Sequence, residues 1–185
     1  MQEIETERLR LRMPVTADLE ALMPILGDPD VMKYLGIEAG TTLTREETEA
    51  MLGQMIEAWK SRGWGRWVVV QKNDDKVIGF CGYRLLDNTP ELLYVFAKAA
   101  WGRGLATEAA RATLRYGLEE LKFPRIIAAT RHAHTASIKV MKKIGMKYEK
   151  DVNLFGVEGV SYVATPDGFQ ANDSTYVLSS QAREV

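Results

Sequence analysis

The sequence of 185 residues has few of the side chains that bind metals or cross-link chains, because it contains one cysteine, Cys81, and two histidines. A single cysteine excludes an internal disulfide and a cysteine-rich zinc site. Positive charge is not in excess either, since 24 lysines and arginines stand against 25 aspartates and glutamates, for a formal net charge of -1. We therefore expect no metal ion and no general affinity for nucleic acid or an anionic membrane surface.

Long apolar runs, linkers and repeats are also lacking. No run approaches the roughly 18 residues that a membrane helix requires. The opening MQEIETERLR is too charged for the apolar core of a signal peptide, so we expect a cytoplasmic protein. With 46% hydrophobic and 26% charged residues, the composition is that of a globular protein, and we expect a single domain over residues 1–185.

Apolar residues alternate in some segments and recur at helical spacing in others, which predicts both strands and helices. Residues 9–13 predict a first strand; helical spacing follows after Thr16, a predicted N-cap, and after Thr44, which forms a capping box with Glu47. The later predicted elements are strands at 67–71, 76–83, 92–96, 126–130, 157–163 and 175–179, and helices at 107–121 and 137–144. A parallel crossover would reach the strand at 126–130, within an otherwise mostly antiparallel sheet.

The segment most informative about function is 96–108, which combines a strand end, a turn of small residues and a helix start. Gly102 and Gly104 allow the backbone to turn tightly and approach a ligand. The N-terminus of the following helix favours a phosphate or pyrophosphate, and Arg103 is placed to add a charge-assisted contact. The segment therefore predicts an anion site.

Three interpretations of this segment compete: a turn without a ligand, a dinucleotide-binding turn and a phosphate-binding loop of the Walker type. The dinucleotide motif would have Thr107 at its third small position, and it would lie behind three antiparallel strands instead of at the first strand. The Walker motif fails because no Gly-Lys-Ser/Thr follows.

Several motifs resemble one family, and together they extend over nearly the whole chain. They are TERLRLR at 6–12, DPDVMKYL at 28–35, VIGFCG at 77–82, WGRGLATEA at 101–109, ASIKVMKKIGM at 136–146 and DSTYVL at 173–178. In this order they resemble the GCN5-related N-acetyltransferases (GNAT), in particular the branch that contains the ribosomal-protein alanine N-acetyltransferases. The resemblance implies an α+β (mixed α/β) fold with a splayed, mostly antiparallel sheet of six to seven strands and about four helices on its faces.

The resemblance also implies acetyl-CoA as cosubstrate, and it selects CoA over a nicotinamide dinucleotide. The pantetheine arm would lie in a gap of the sheet beside residues 93–96, and the pyrophosphate would lie on the glycine-rich turn. The cofactor-binding residues implied in this way are Tyr94, Val95, Phe96, Trp101, Gly102, Arg103, Gly104, Leu105, Ala106, Thr107 and His134.

Three positions depart from the family pattern. The family's loop often begins with Gln or Arg where this sequence has Trp101. Met141 stands where many members carry the tyrosine that protonates the departing thiolate, and Met cannot donate a proton. Ser137 is the candidate replacement, and an ordinary N-cap serine is the alternative interpretation. His134 stands where an asparagine usually contacts pantetheine, and it is either such a contact or a solvated loop histidine.

Two further side chains are candidate catalytic groups. Glu91 would deprotonate an incoming ammonium group through water, or it is a solvated acid of a turn. Cys81 lies inside an apolar strand, which favours a buried structural thiol over a nucleophile. Ser137 and Glu91 are therefore the predicted catalytic residues.

The predicted reaction is direct transfer of the acetyl group from acetyl-CoA to a primary amine of a small molecule or a protein N-terminus. An α-amine has a pKa of about 7.7–8.0 against about 10.4 for lysine and needs less help from a base, which favours a low-pKa amine. A non-catalytic module of the same fold that binds or senses acyl-CoA is the alternative. The sequence leaves the oligomeric state open, and a homodimer is one of the alternatives.

Overall fold

The computed structural model describes residues 2–36, 40–169 and 176–180. The strands are β1 (Gln2–Glu5), β2 (Leu9–Arg12), β3 (Arg66–Gln71), β4 (Lys76–Leu86), β5 (Thr89–Phe96), β6 (Ile126–Arg131), β7 (Lys147–Leu154), β8 (Val157–Ala164) and β9 (Val177–Ser180). The α-helices are α1 (Leu19–Leu26), α2 (Pro29–Met32), α3 (Arg45–Arg62), α4 (Leu105–Glu119) and α5 (Thr135–Lys143).

All nine strands of the described residues belong to one sheet, in the order β7-β8-β6-β5-β4-β3-β2-β1-β9. Neighbouring strands are antiparallel except β5 and β6, which are parallel. The predicted α+β fold with a mostly antiparallel sheet is confirmed, although the sheet has more strands than the six to seven expected. The additional β1 is short and polar, and β7 is an edge strand with both faces partly solvated, so neither shows apolar alternation.

The parallel pair of β5 and β6 is joined at one place, where Glu91 lies opposite Ile127. Beyond this pair the two strands have no further paired residues with each other, so the sheet splays open there. The edge of β5 that faces β6 therefore presents backbone groups to a gap. This gap is the feature of the fold that creates the site.

Helices cover both faces of the sheet. On one face, helices α1 and α3 pack over a cluster that includes Leu22, Met55, Val68, Phe80 and Val95. On the other face, α4 and α5 pack over a cluster that includes Trp67, Cys81, Tyr83, Leu114 and Met141. Both clusters consist of buried apolar side chains, which supply the main driving force for folding.

The local signals at the helix ends were correct for α3 and wrong for α1. Thr44 and Glu47 form the predicted capping box, and Gly63 ends α3 with φ of 74°. Before α1, residues Thr16–Asp18 form a 3-10 turn, so Thr16 is not the N-cap of that helix. The carboxylate of Asp18 pairs with Arg12 at 2.5 Å and accepts a hydrogen bond from the Val15 N–H at 2.8 Å, which holds this turn.

Cys81 is fully buried, and burial raises the pKa of its thiol to about 12. Its Sγ lies 3.4 Å from the Thr113 Oγ1 on α4. A thiol that stays protonated inside the core agrees with the structural role predicted for it.

Candidate active site

The glycine-rich turn leads directly into α4, which begins at Leu105, two residues earlier than predicted. Gly102 and Gly104 have φ of 72° and 79°, a left-handed conformation that disfavours other residue types. Gly104 is the N-cap and carries no side chain, so the N–H groups of Leu105, Ala106 and Thr107 have no partner within the helix. This arrangement provides several adjacent donors at the positive end of the helix.

Glu108 in the first turn of α4 holds the turn against the loop between β1 and β2. Its carboxylate accepts hydrogen bonds from Thr6 Oγ1 at 2.6 Å, from the Arg8 N–H at 2.9 Å and from Arg8 Nε at 2.6 Å. Arg8 Nη1 also donates to the carbonyl oxygen of Arg103 at 2.9 Å. These charge-assisted bonds fix the start of α4 before any ligand arrives.

Two predicted side chains of the turn have specific partners. Trp101 Nε1 donates to the carbonyl oxygen of Phe96 at 2.9 Å and so ties the turn to the end of β5, while the side chain stays partly exposed. The guanidinium of Arg103 lies 3.3 Å from Gln71 Oε1 on β3 and is not among the residues that line the cleft. The structure therefore does not bring Arg103 to the site, because its side chain points toward β3.

A cleft of about 510 Å³ lies between the start of α4, the end of β5 and α5. The predicted cofactor residues that line it are Tyr94, Val95, Phe96, Trp101, Gly102, Gly104, Leu105, Ala106, Thr107 and His134. Arg103 alone of the predicted set is missing from it.

Three lysines of the cleft wall, Lys33, Lys139 and Lys143, were not found from the sequence. Lys139 and Lys143 are four residues apart and so share one face of α5. That spacing was the available signal, but a pair of lysines on a helix is most often a solvated surface. Their position beside the turn adds positive charge where the helix N-terminus already favours an anion.

A second, smaller cavity of about 220 Å³ lies in the gap itself, lined by residues 92–95 of β5 and 128–131 of β6. It shares six lining residues with the cleft: Tyr34, Leu35, Tyr94, Val95, His134 and Ser137. Its other walls include Arg84, Glu91, Arg131 and Met141. The two spaces therefore adjoin at Tyr94, His134 and Ser137, which is where a group in the cleft and a group in the cavity can meet.

Ser137 and Tyr94 form a pair of hydroxyl groups at this junction. The Tyr94 hydroxyl lies 3.0 Å from Ser137 Oγ and donates to the Ser137 carbonyl oxygen at 3.2 Å. Burial raises the pKa of Tyr94, so its hydroxyl stays protonated. Ser137 is the third residue of α5, whose N-cap is His134, so the alternative of an N-cap serine is wrong because the helix begins earlier than expected.

His134 has its ring fixed by two neighbours. It stacks on Tyr34 with ring centroids 4.5 Å apart, and its Nδ1 lies 3.1 Å from Thr130 Oγ1. Burial lowers the pKa of His134, so the imidazole is neutral at physiological pH. A half-buried ring that lines both spaces is not a solvated loop histidine.

Glu91 is 3% exposed and lies within β5, which begins at Thr89 and not at residue 92 as predicted. Its carboxylate pairs with Arg84 Nε on the neighbouring strand β4. It is therefore not a solvated acid of a turn. It forms part of the wall of the smaller cavity at the point where β5 and β6 separate.

No cluster of three or more His, Cys, Asp or Glu side chains suited to a metal ion occurs in the described part of the chain. Over the same residues, no helix is both long and apolar enough to span a membrane.

Residues 8–147 match the family model described as an acetyltransferase (GNAT) domain, and the chain belongs to this family. The uncharacterized N-acetyltransferase p20 of Bacillus licheniformis is 31% identical over 153 residues, which cover 80% of this chain and 84% of p20. The crystal structure of a GNAT-family acetyltransferase from Bacillus anthracis has a TM-score of 0.77 at 30% identity, over 89% of this chain and 99% of that one.

A more distant structure shows the same fold with a cofactor bound. It is RimL, a ribosomal L7/L12 alpha-N-protein acetyltransferase in complex with coenzyme A, with a TM-score of 0.75 at 16% identity, over 88% of this chain and 97% of that one. The predicted resemblance to GNAT enzymes is confirmed by the family match, and the RimL structure shares the fold.

Proposed function

We propose that this protein, as a single acyl-CoA N-acyltransferase domain over residues 1–185, transfers the acetyl group of acetyl-CoA directly to a primary amine. The observation that carries the proposal is the junction of the two spaces. A cleft that begins at a helix N-terminus adjoins a smaller cavity across Tyr94, His134 and Ser137. Two substrates can therefore occupy adjoining spaces and meet at this junction.

The cofactor end of the proposal rests on the start of α4. The free N–H groups of its first turn would take the pyrophosphate, and Lys33, Lys139 and Lys143 would supply nearby positive charge. The pantetheine arm would then run along the open edge of β5 towards the junction. A main-chain N–H near Val95 or Phe96 would polarise the thioester carbonyl.

The departing thiolate would take a proton from Ser137, and Ser137 would take one in turn from solvent water. Its Oγ lines the cleft and is within hydrogen-bond distance of the Tyr94 hydroxyl, which stays protonated and fixes the serine side chain. Met141 lines the smaller cavity but has no proton to give. Ser137 is thus the hydroxyl that α5 itself brings to the junction.

The proton of the incoming ammonium group would pass to Glu91 through water. Glu91 is buried at the wall of the smaller cavity, and its pairing with Arg84 holds the carboxylate in one orientation. None of the three junction residues, Tyr94, His134 and Ser137, is a strong general base. This favours an acceptor amine of low pKa, such as an α-amino group.

The experiment that tests the proposal follows the release of free thiol from acetyl-CoA with a panel of amines, and checks for acetylated product by mass spectrometry. Transfer to at least one α-amine, dependent on Ser137, is the expected result. Binding of acetyl-CoA without hydrolysis or transfer to any amine would instead identify a non-catalytic acyl-CoA-binding module. Stabilisation by NADPH and none by CoA would refute both.

A further inference from the structure

The smaller cavity reaches both faces of the sheet through the gap between β5 and β6. Successive side chains of β5 alternate between the two faces. Leu92 and Tyr94 lie with the apolar cluster that α4 and α5 cover. Leu93 and Val95 lie with the cluster that α1 and α3 cover. All four residues line the cavity, so it has one part on each face.

On the face covered by α4 and α5, a second set of side chains lies behind the junction. Leu92 and Ala128 directly follow the two residues at which β5 and β6 pair. Met141 lies one helical turn after Ser137 on the same side of α5. All three line the smaller cavity and belong to one apolar cluster. We call Leu92, Ala128 and Met141 the apolar row.

The apolar row offers a surface for hydrocarbon and nothing for a charged group. Leu92 and Ala128 are 2% exposed, and Met141 is 1% exposed. None of the three side chains carries a hydrogen-bond donor or a charge. Glu91 projects to the opposite face, because adjacent side chains on a strand alternate. An acceptor amine beside Glu91 and a hydrocarbon chain beside the apolar row can therefore occupy different parts of the cavity.

The volume of the cavity exceeds what an acetyl group needs. An apolar cavity of about 150 Å³ holds a molecule of benzene. The smaller cavity has about 220 Å³. We propose that the apolar row is an acyl-chain subsite, and that the enzyme transfers propionyl and butyryl groups as well as acetyl. This inference rests on the proposed function, because the acyl chain reaches the apolar row only from a CoA thioester in the cleft.

The acyl chain would continue the path of the pantetheine arm. A thioester sulfur beside Ser137 places the chain next to Met141, one helical turn further along α5. The amine nitrogen bonds to the acyl carbon, and the carbon–sulfur bond breaks with its electron pair on sulfur. The two protons that the ammonium group loses pass through Glu91 to water, and one proton returns from water through Ser137 to the thiolate. The chemistry is the same as for acetyl, and only the length of the chain in the apolar row changes.

The test measures kcat/KM for acetyl-CoA, propionyl-CoA and butyryl-CoA with the same amine acceptor. Each methylene group buried in the apolar row should raise kcat/KM by about fourfold, so butyryl-CoA should exceed acetyl-CoA by roughly tenfold or more. In Ala128→Val the butyryl-to-acetyl ratio should fall by about tenfold, because the added carbons fill the space of the chain. Ala164→Val is the matched control, since Ala164 is a buried alanine of the neighbouring strand β8 that lines neither space, and it should keep the wild-type ratio.

The outcomes separate this inference from the proposed function. Transfer from acetyl-CoA, with equal or lower kcat/KM for the two longer donors, would overturn the acyl-chain subsite and leave acetyl transfer standing. Transfer from none of the three donors would overturn both. The wild-type series needs no variant, so the inference stays testable even if Ala128→Val fails to fold. A folded Ala128→Val protein that keeps the wild-type ratio would also overturn it.

Discussion

Replacement of Gly104 by valine tests whether the start of α4 binds the cofactor. A Cβ at this position would lie 3.5 Å from Arg8 Nη2, an ordinary contact, so a steric clash is not the expected effect. The strain comes from the backbone, because φ of 79° is a left-handed conformation that costs an ordinary residue about 1–2 kcal/mol. A β-branched side chain is expected at the upper end of that range.

We expect the variant to relieve this strain by rotating the two peptide groups that flank residue 104, which would turn the N–H groups of residue 104 and Leu105 away from the cleft. Loss of two charge-assisted hydrogen bonds, at about 1.5–3 kcal/mol each, weakens CoA binding by at least about 100-fold. The folded state should survive with a Tm lower by about 2–8 °C, since a chain of this size loses about 2–4 °C per kcal/mol.

Calorimetric titration with CoA and thermal denaturation by circular dichroism measure the two effects. Gly53→Ala is the matched control, because Gly53 lies inside α3, has open space around it and has no left-handed φ. It should gain about 0.5–1 kcal/mol of stability and bind CoA as the wild type does. A Gly104→Val protein that is folded and binds CoA within about threefold of wild type would refute the assignment of the anion site to this turn.

The remaining predictions concern the junction and the core. Ser137→Ala should reduce kcat by a factor near the lower end of the roughly 10²–10⁴-fold range typical of one acid-base group, with little change in CoA affinity. Steady-state kinetics at saturating acetyl-CoA measure this effect. An unchanged kcat would show that the thiolate takes its proton elsewhere. His134→Ala should raise KM for acetyl-CoA with little effect on kcat, the signature of a contact made equally in the ground and transition states; a selective loss of kcat would contradict a binding role. Gly117→Ala should destabilise the protein by about 1–3 kcal/mol in urea denaturation, because its Cβ would lie 2.2 Å from Tyr83 Oη and 2.8 Å from Ile126 Cδ1. An unchanged unfolding midpoint would mean that Tyr83 and Ile126 move to accommodate the added methyl group without a loss of stability.

The features that the sequence predicted correctly depend on neighbours along the chain. The capping box at Thr44 and Glu47 satisfies backbone groups within one helical turn, so spacing alone identifies it. The two glycines before α4 are required by a backbone conformation that few other residues adopt. The order of the motifs carried the resemblance to the GNAT family, which the family match confirms.

Other features depend on contacts between distant parts of the chain, which no local pattern shows. The strand β9 lies at the opposite end of the sheet from β7, beside β1, a pairing that joins residues near both ends of the described chain. Residue 175, the first of the predicted strand there, lies outside the described residues. Arg103 has the right charge and position for a phosphate contact, yet its side chain bonds to Gln71 on another strand.

The sequence by itself determined the class of fold and the glycine-rich turn before α4, because strand and helix periods, glycine conformations and helix ends are set within a few residues. The choice of acetyl-CoA as cofactor came from the resemblance to the GNAT family. Only the tertiary structure decided which side chains meet. The splay between β5 and β6 places Tyr94 against Ser137, 43 residues further along the chain, and it opens one cavity beside Glu91 and Arg84. Contacts of this kind depend on how separate elements pack around a shared core, and no local spacing encodes that distance.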